Sequence, residues 1–228
     1  MSSSTPLFLF DIDGTIVSKA GPHHRIALEY AASRAAGRPI SCEGVPVAGM
    51  LDRDILRLML SNAGVADKHI LRWIPAIVAE AQRHYPRICP DLRHRVCSGM
   101  RPFLARLKRR GIPRGLVTGN LSRIGWHKMQ QAGLRHFFQF GAFAEMGKTR
   151  SELVAIAMEQ ARRQGLAKPA AKVYLVGDHL NDIRAARDNG IAIISMTTGI
   201  LSRTELAAFS PDFLLDDIRA LPSAIIES

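Results

Sequence analysis

Leu7-Phe8-Leu9-Phe10-Asp11-Ile12-Asp13-Gly14-Thr15 is the stretch that decides how this chain folds. Four apolar residues with no polar face read as a strand buried on both sides, the kind that occupies the middle of a parallel sheet. Side chains alternate along a strand, so Asp11 and Asp13, two residues apart, emerge on one side of the turn that follows. Two carboxylates in one pocket repel, and one is driven to a raised pKa unless a cation sits between them. The pair therefore predicts a divalent-metal site, a nucleophile beside a general acid/base, or both. An Asx turn in which Gly14 supplies a positive φ would account for the tripeptide alone, so the rest of the chain has to decide.

Downstream of residue 100 the pattern alternates. A helix is predicted over 100–110, with Pro102 in its first turn and Gly111 after its end, then a strand over 113–117 that runs into Thr118-Gly119-Asn120. A helix over 121–132, a short apolar stretch over 137–143 and a helix over 150–164 follow. The strand over 172–176 ends in Gly177-Asp178, and a helix over 181–189 leads to a strand over 191–195. A last strand over 213–215 precedes a final helix. Strands alternating with helices of this length indicate βαβ crossovers, hence an α/β fold with a parallel sheet and helices on both faces.

Residues between the first strand and about 96 carry helical signals and no convincing strand. Helices are predicted over 23–36, stopped by Gly37, and over 55–60, with Asp52 as a plausible N-cap. A third apolar stripe, Ile70, Trp73, Ile74, Ile77, Val78, Ala81 and Tyr85, contains Pro75, which implies a kink or a fresh start. These residues form an insertion that would sit over the pocket as a lid. The domains are then 1–16 with 97–228 as the core and 17–96 as the helical insertion. Ser2–Ser4 reads as disordered.

The 228 residues, 47% hydrophobic, are ample for a core, and no apolar run approaches the roughly 20 residues of a membrane span. The N-terminus lacks a basic region ahead of its apolar tetrapeptide, so export is not expected. Cys42, Cys89 and Cys97 are odd in number and widely spaced, which predicts reduced thiols in a cytoplasmic protein. A net charge of +11 favours anionic partners, small phosphorylated metabolites and nucleic acids among them. The densest basic run, from Arg106 to Arg114, has no interleaved aromatic residues for base stacking. It reads better as a solvated helix face.

Ligands of an open parallel sheet bind outside the carboxyl ends of its strands. There the first strand delivers Asp11 and Asp13, the second Thr118 and Asn120, and the fourth Asp178, with Asp182 four residues on. Lys148 and Arg150 stand at the start of the helix between them. His179 invites a metal reading but is better explained as a loop side chain. His23 and His24, near where the insertion departs, would suit a second acid/base; exposed helix-start histidines are the plainer explanation. Trp73 and Trp126 read as packing residues.

With these residues in order, the chain resembles the haloacid dehalogenase-like (HAD) hydrolases, and within them the phosphoglycolate phosphatase-like subgroup with a helical C1-type cap inserted after the first strand. The likeness rests on Asp11-Ile12-Asp13-Gly14-Thr15, Leu116-Val117-Thr118-Gly119-Asn120, a basic residue at Lys148 or Arg150, and Gly177-Asp178 with Asp182. It extends through Gly141-Ala142-Phe143, Arg150-Ser151-Glu152-Leu153, Thr198-Gly199 and Leu215-Asp216-Asp217, and so covers nearly the whole chain. The resemblance implies a Rossmann-like core and a magnesium-dependent phosphatase of a small phosphate monoester, phosphoglycolate-like or a sugar phosphate. Asp11 would be the nucleophile that forms an aspartyl-phosphate, and Asp13 the general acid and base. Mg2+ would be held by Asp11, the Asp13 backbone carbonyl and Asp178, with Asp182 ordering a neighbouring ligand. Thr118, the backbone N–H groups near Gly119 and Asn120, and a cation would neutralise the phosphoryl oxygens. Lys148 has the spacing of the usual lysine, whereas Arg150 aligns with the arginine ahead of Glu-Leu in the nearest subgroup, and Arg150 is favoured. Gly49-Met50-Leu51-Asp52 resembles a substrate-contacting cap loop, with Asp52 as its polar contact and Leu51 where a Thr is expected.

Three other readings stand beside this one. A haloacid dehalogenase would need neither magnesium nor Asp13, and Asp13, Gly14, Thr15 and Asp178 argue against it. A phosphomutase shares every motif. A catalytically idle binding protein on the same fold, with a basic surface for nucleic acid, is disfavoured because every catalytic position is intact. The expected partner is a small phosphorylated metabolite, with no membrane, and the expected state is a monomer or homodimer.

Overall fold

The computed structural model describes residues 5–18 and 21–227, and the Ser2–Ser4 stretch lies outside them. The first strand, β1 (Leu7–Phe10), is buried at every position. Its alternation sorts the core in two: Leu7 and Leu9 belong to one apolar cluster, Phe8 and Phe10 to the other. The chain then forms α1 (His23–Ala36), α2 (Asp52–Asn62) and α3 (Asp67–Ile88) before returning through α4 (Met100–Arg109) to β2 (Arg114–Val117). Next come α5 (Ser122–Gln131), β3 (Phe140–Ala142), α6 (Arg150–Arg163), β4 (Val173–Gly177), α7 (Leu180–Asp188) and β5 (Ala192–Met196). A short α8 (Arg203–Ala207), β6 (Phe213–Leu215) and α9 (Ala224–Glu227) complete the described chain.

All six strands are parallel, in the order β3-β2-β1-β4-β5-β6. One face is covered by α6 and α7, through Leu153, Val154, Ala157, Ile183 and Ala186. The other is covered by α4, through Met100, Phe103, Leu104 and Leu107, and by a group of aromatic rings in which Phe8 lies 5.1 Å from Tyr174 and 5.8 Å from Phe103. The α/β class, the parallel sheet and helices on both faces are as expected, and β1 at the centre puts the reversal of strand order where such sheets bind ligands.

The two crossings into the helical insertion run side by side. Val17 bridges Val96 in antiparallel fashion, Ser18 N–H donates to the Arg95 carbonyl at 2.9 Å, and Cys97 N–H to that of Ile16 at 2.9 Å. Inside the insertion α1 packs on α3, where Tyr30 stacks on His84 at 3.8 Å.

Some local expectations change. Asp52 is not an N-cap: Leu51 holds that position, and Asp52 opens α2 with its carboxylate drawn into the protein. Pro75 does not start a new helix: α3 runs through Pro75 and Pro86, because the stripe Ile70, Ile74, Ile77, Ala81 and Tyr85 stays buried along its whole length. Arg114 is no part of a solvated face. It lies in β2, 5% exposed, donating to the Phe137 carbonyl at 2.7 Å and to that of Ile112. No helix among the described residues is long and apolar enough to cross a membrane, and the three cysteines are unpaired.

Candidate active site

Three adjacent strands end at one point, and each releases its polar residue there: Asp11 one residue past β1, Thr118 one past β2, Asp178 one past β4. Main-chain bonds hold these exits, from Asp11 N–H to Val176 and from Thr118 N–H to Ala142. They open onto a cavity of about 430 Å3 between the sheet and the inserted helices.

Asp11, Asp178 and Asp182 form a buried cluster with carboxylate oxygens within 4.8 Å of one another. Burial pushes both Asp178 and Asp182 above the usual carboxylate range, and the charge of Asp11 pushes further. One side of Asp178 is held by Thr15 Oγ1 at 2.8 Å. The Asp182 carboxylate is divided in its use. Its Oδ2 accepts from His179 N–H at 3.1 Å in a capping box with the His179 ring, while Oδ1 is buried without a hydrogen bond, 3.4 Å from Arg150 Nε. Three crowded carboxylates with an unsatisfied oxygen are a set of hard oxygen donors suited to Mg2+. Gly14, at φ +83°, has no room for a side chain, since a Cβ there would lie 2.2 Å from Asp178 Oδ2. His179 is a helix-capping side chain, outside the carboxylate cluster.

The two candidate cations separate cleanly. Lys148 precedes the N-cap Thr149, is exposed, and takes part through its backbone N–H, which donates to Glu152 at 2.7 Å. Arg150, the first residue of α6, is 6% exposed and donates from Nη1 to Asp11 Oδ1 at 3.0 Å and to the Val117 carbonyl at 3.3 Å. Burial alone would lower the Arg150 pKa; Asp11 and Asp182 outweigh it and leave the guanidinium firmly charged. Lys148 therefore lies apart from the carboxylates and Arg150 among them, and the helix start separates the two: one residue outside the cap faces water, one inside faces the sheet.

On the opposite side stands a second network, and it contains a residue that the sequence did not single out. Lys128, 1% exposed on α5, reaches Asp13 Oδ1 at 2.7 Å, Asp13 Oδ2 at 2.6 Å, Asn120 Oδ1 at 2.6 Å and His24 Nδ1 at 3.1 Å. The other His24 nitrogen, Nε2, lies 2.9 Å from Asp52 Oδ2, which also accepts from Leu121 N–H at 2.8 Å. Asn120 Nδ2 donates to Asp13 Oδ2 at 2.8 Å and Thr118 Oγ1 at 2.7 Å. Enclosure of the cavity mouth by surrounding protein would raise the pKa of the partly exposed Asp13, but Lys128 and His24, with hydrogen bonds from Lys128 and Asn120, hold it below its ordinary value. The Asp13 side chain is therefore turned away from the carboxylate cluster, and Asn120 and Asp52 bond inward. His24 is half-buried in this network, contrary to the plainer expectation of an exposed helix start.

The loop after β2 keeps donors in reserve. Both contacts to Thr118 Oγ1 use its lone pairs, so its O–H remains to be given. Leu121 N–H is taken by Asp52 and Thr118 N–H by Ala142, whereas Gly119 N–H has no acceptor among the described residues. Gly119 must lack a side chain, because a Cβ would lie 2.2 Å from the Met50 carbonyl of the insertion. Cys42 lines the same cavity, but burial pushes its thiol up to about 12, which leaves it no nucleophile.

Residues 5–190 match the model of the haloacid dehalogenase-like hydrolases. The chain is similar to a phosphoglycolate phosphatase of Synechococcus elongatus, 29% identical over 224 residues that cover 96% of each chain. It is also similar to one from Pseudomonas savastanoi, 27% identical over 94% of this chain and 78% of that one. Among solved structures, a β-phosphoglucomutase from Clostridium difficile superposes with a TM-score of 0.71 at 16% identity, over 98% of this chain and 96% of that one. At that identity the likeness is one of fold.

Proposed function

Since the chain belongs to the haloacid dehalogenase-like hydrolases, we propose that it is a magnesium-dependent phosphatase of a small phosphate monoester, working in the cytoplasm through an aspartyl-phosphate on Asp11. The observation that carries this reading is the division of the site around Asp11. Metal-suited carboxylates and Arg150 lie on one side, phosphoryl-oxygen donors stand beside it at the β2 exit, and Asp13 is oriented on the other side.

Arg150 holds Asp11 in place, and with Thr118 O–H and Gly119 N–H it supplies positive charge and donors for the phosphoryl oxygens as in-line attack proceeds. Asp13, ionised at rest against Lys128, takes the proton of the water that hydrolyses the intermediate and passes that proton to the departing alkoxide of the next ester. Asp11, Asp178 and Asp182 would hold Mg2+, with the Asp13 backbone carbonyl, and the ion would neutralise charge at the transferring group. Residues 17–96 serve as the cap, closing over the cavity and excluding bulk water. The phosphoglycolate phosphatase relatives support a small anionic ester, and Arg25 at the cavity wall is a cation suited to its far end.

The phosphomutase reading asks for a second acid/base free to reach a sugar hydroxyl. Both ring nitrogens of His24 are engaged, by Lys128 and by Asp52, which favours hydrolysis. Phosphate release from a panel of small monoesters, with Mg2+ and then EDTA, tests the assignment. Release that needs Mg2+ and is abolished in Asp11→Asn is expected; an active Asp11→Asn protein would sink the mechanism.

A further inference from the structure

Lys128 lies 115 residues from Asp13 in sequence, on a helix whose other polar residues are mostly partly exposed, yet it is sealed from solvent against the cavity wall. An ammonium group carries three hydrogens, and three residues receive them: Asp13, Asn120 and His24. None is left for a phosphoryl oxygen. Lys128 is therefore not a substrate anchor, and what it does is done through its neighbours.

The neighbours show what that is. Asp13 is 42% exposed at its side chain, free to swing into the cavity but for the grip on its two oxygens. Lys128 also dictates the Asn120 amide: a lysine cannot accept, so the amide oxygen must face it, and the NH2 group then has to face Asp13 and Thr118. Burying an ammonium is costly unless it is well paired, and here both oxygens of Asp13 supply the charge that pairs it.

We propose that Lys128 is a positioning residue for the Asp13 carboxylate, acting through it on the proton transfers of both half-reactions. This rests on the phosphatase reading above. Asp13→Asn combined with Lys128→Met forms a double-mutant cycle that isolates the claim. Lys128→Met alone should lower kcat on an alkyl phosphate by about 100-fold, the scale of a misplaced acid/base, with KM within about threefold. With p-nitrophenyl phosphate, whose leaving group needs no proton, the nitrophenolate burst should persist and slow turnover follow, because the water attack still needs Asp13. In the Asp13→Asn background, Lys128→Met should cost less than about threefold. Equal losses in both backgrounds, or a tenfold rise in KM at unchanged kcat, would overturn the proposal. Circular dichroism checks the fold, and Lys128→Gln, which keeps a polar group, carries the same cycle should the methionine variant not fold. A wild-type protein inert toward every ester removes the phosphatase reading and this proposal with it; an active wild type with additive losses removes only this proposal.

Discussion

Arg150 and Lys148 sit two residues apart with the same charge, and the capping residue Thr149 between them decides which enters the site. Arg150 touches the proposed nucleophile at 3.0 Å and Lys148 does not. Arg150→Ala should lower kcat/KM by roughly 100- to 1,000-fold, the range for removing a charge-stabilising donor, while Lys148→Ala stays within about twofold; steady-state kinetics on one ester separates them. Equal losses at both positions would return the choice to Lys148. Asp11 and Asp178 were legible in the sequence because each ends an apolar run directly, and a strand's end is a local property. Asp52 was legible as a polar residue at a helix start but not as what it is, a link from the insertion to the loop after β2, since its partners Leu121 and His24 are 69 and 28 residues away.

Helix α3 shows how an element can override its own breaker. Pro75 lacks the N–H that would bond one turn back and its ring crowds that carbonyl, at about 3 kcal/mol, yet Ile70, Ile74, Ile77, Ala81 and Tyr85 remain buried on either side of it. Burial of five such side chains, at roughly 1.5–3 kcal/mol each for the large ones, outweighs one broken turn. Pro75 itself is exposed, so Pro75→Ala loses no packing. The variant should be stabilised by about 2–2.5 kcal/mol, the helix gain less the added freedom of the unfolded chain. Denaturant unfolding would show a higher midpoint at unchanged slope, and no gain would mean that the helix relaxes around the ring. The same logic placed most elements correctly from their periods, because the αβ alternation repeats a local pattern. It could not reveal that Arg114 is buried, since β2 buries both faces only once α4 and β3 lie beside it.

Across the whole molecule, the crowded carboxylates couple stability to pH and to metal. Burial and the neighbouring Asp11 charge raise Asp178 and Asp182, so the folded, metal-free protein holds protons that the unfolded chain has released above about pH 4. More protons bound in the folded state means stability falls as pH rises through that window, up to the raised values near neutrality, above which the penalty is complete. Mg2+ takes the ionised form, so it should recover the loss most at high pH, by about 2.7 kcal/mol at a hundredfold excess over Kd. The Tm in EDTA should therefore fall from pH 5.5 to 8.5 and flatten with Mg2+; a Tm indifferent to Mg2+ at pH 8.5 would refute the metal reading of the cluster. The sequence by itself determined the α/β alternation, the run of helices between the first two strands and the carboxylates at the strand ends, because hydrophobic runs and the residues that stop them are neighbours in the chain. Only the tertiary structure decided that Lys128 is buried, that Asp13 and Asn120 are held by it, and that His24 closes the network, because a lysine on an amphipathic helix is charged and helical wherever it points. Whether it meets water or a carboxylate depends on segments more than a hundred residues away that fold over it.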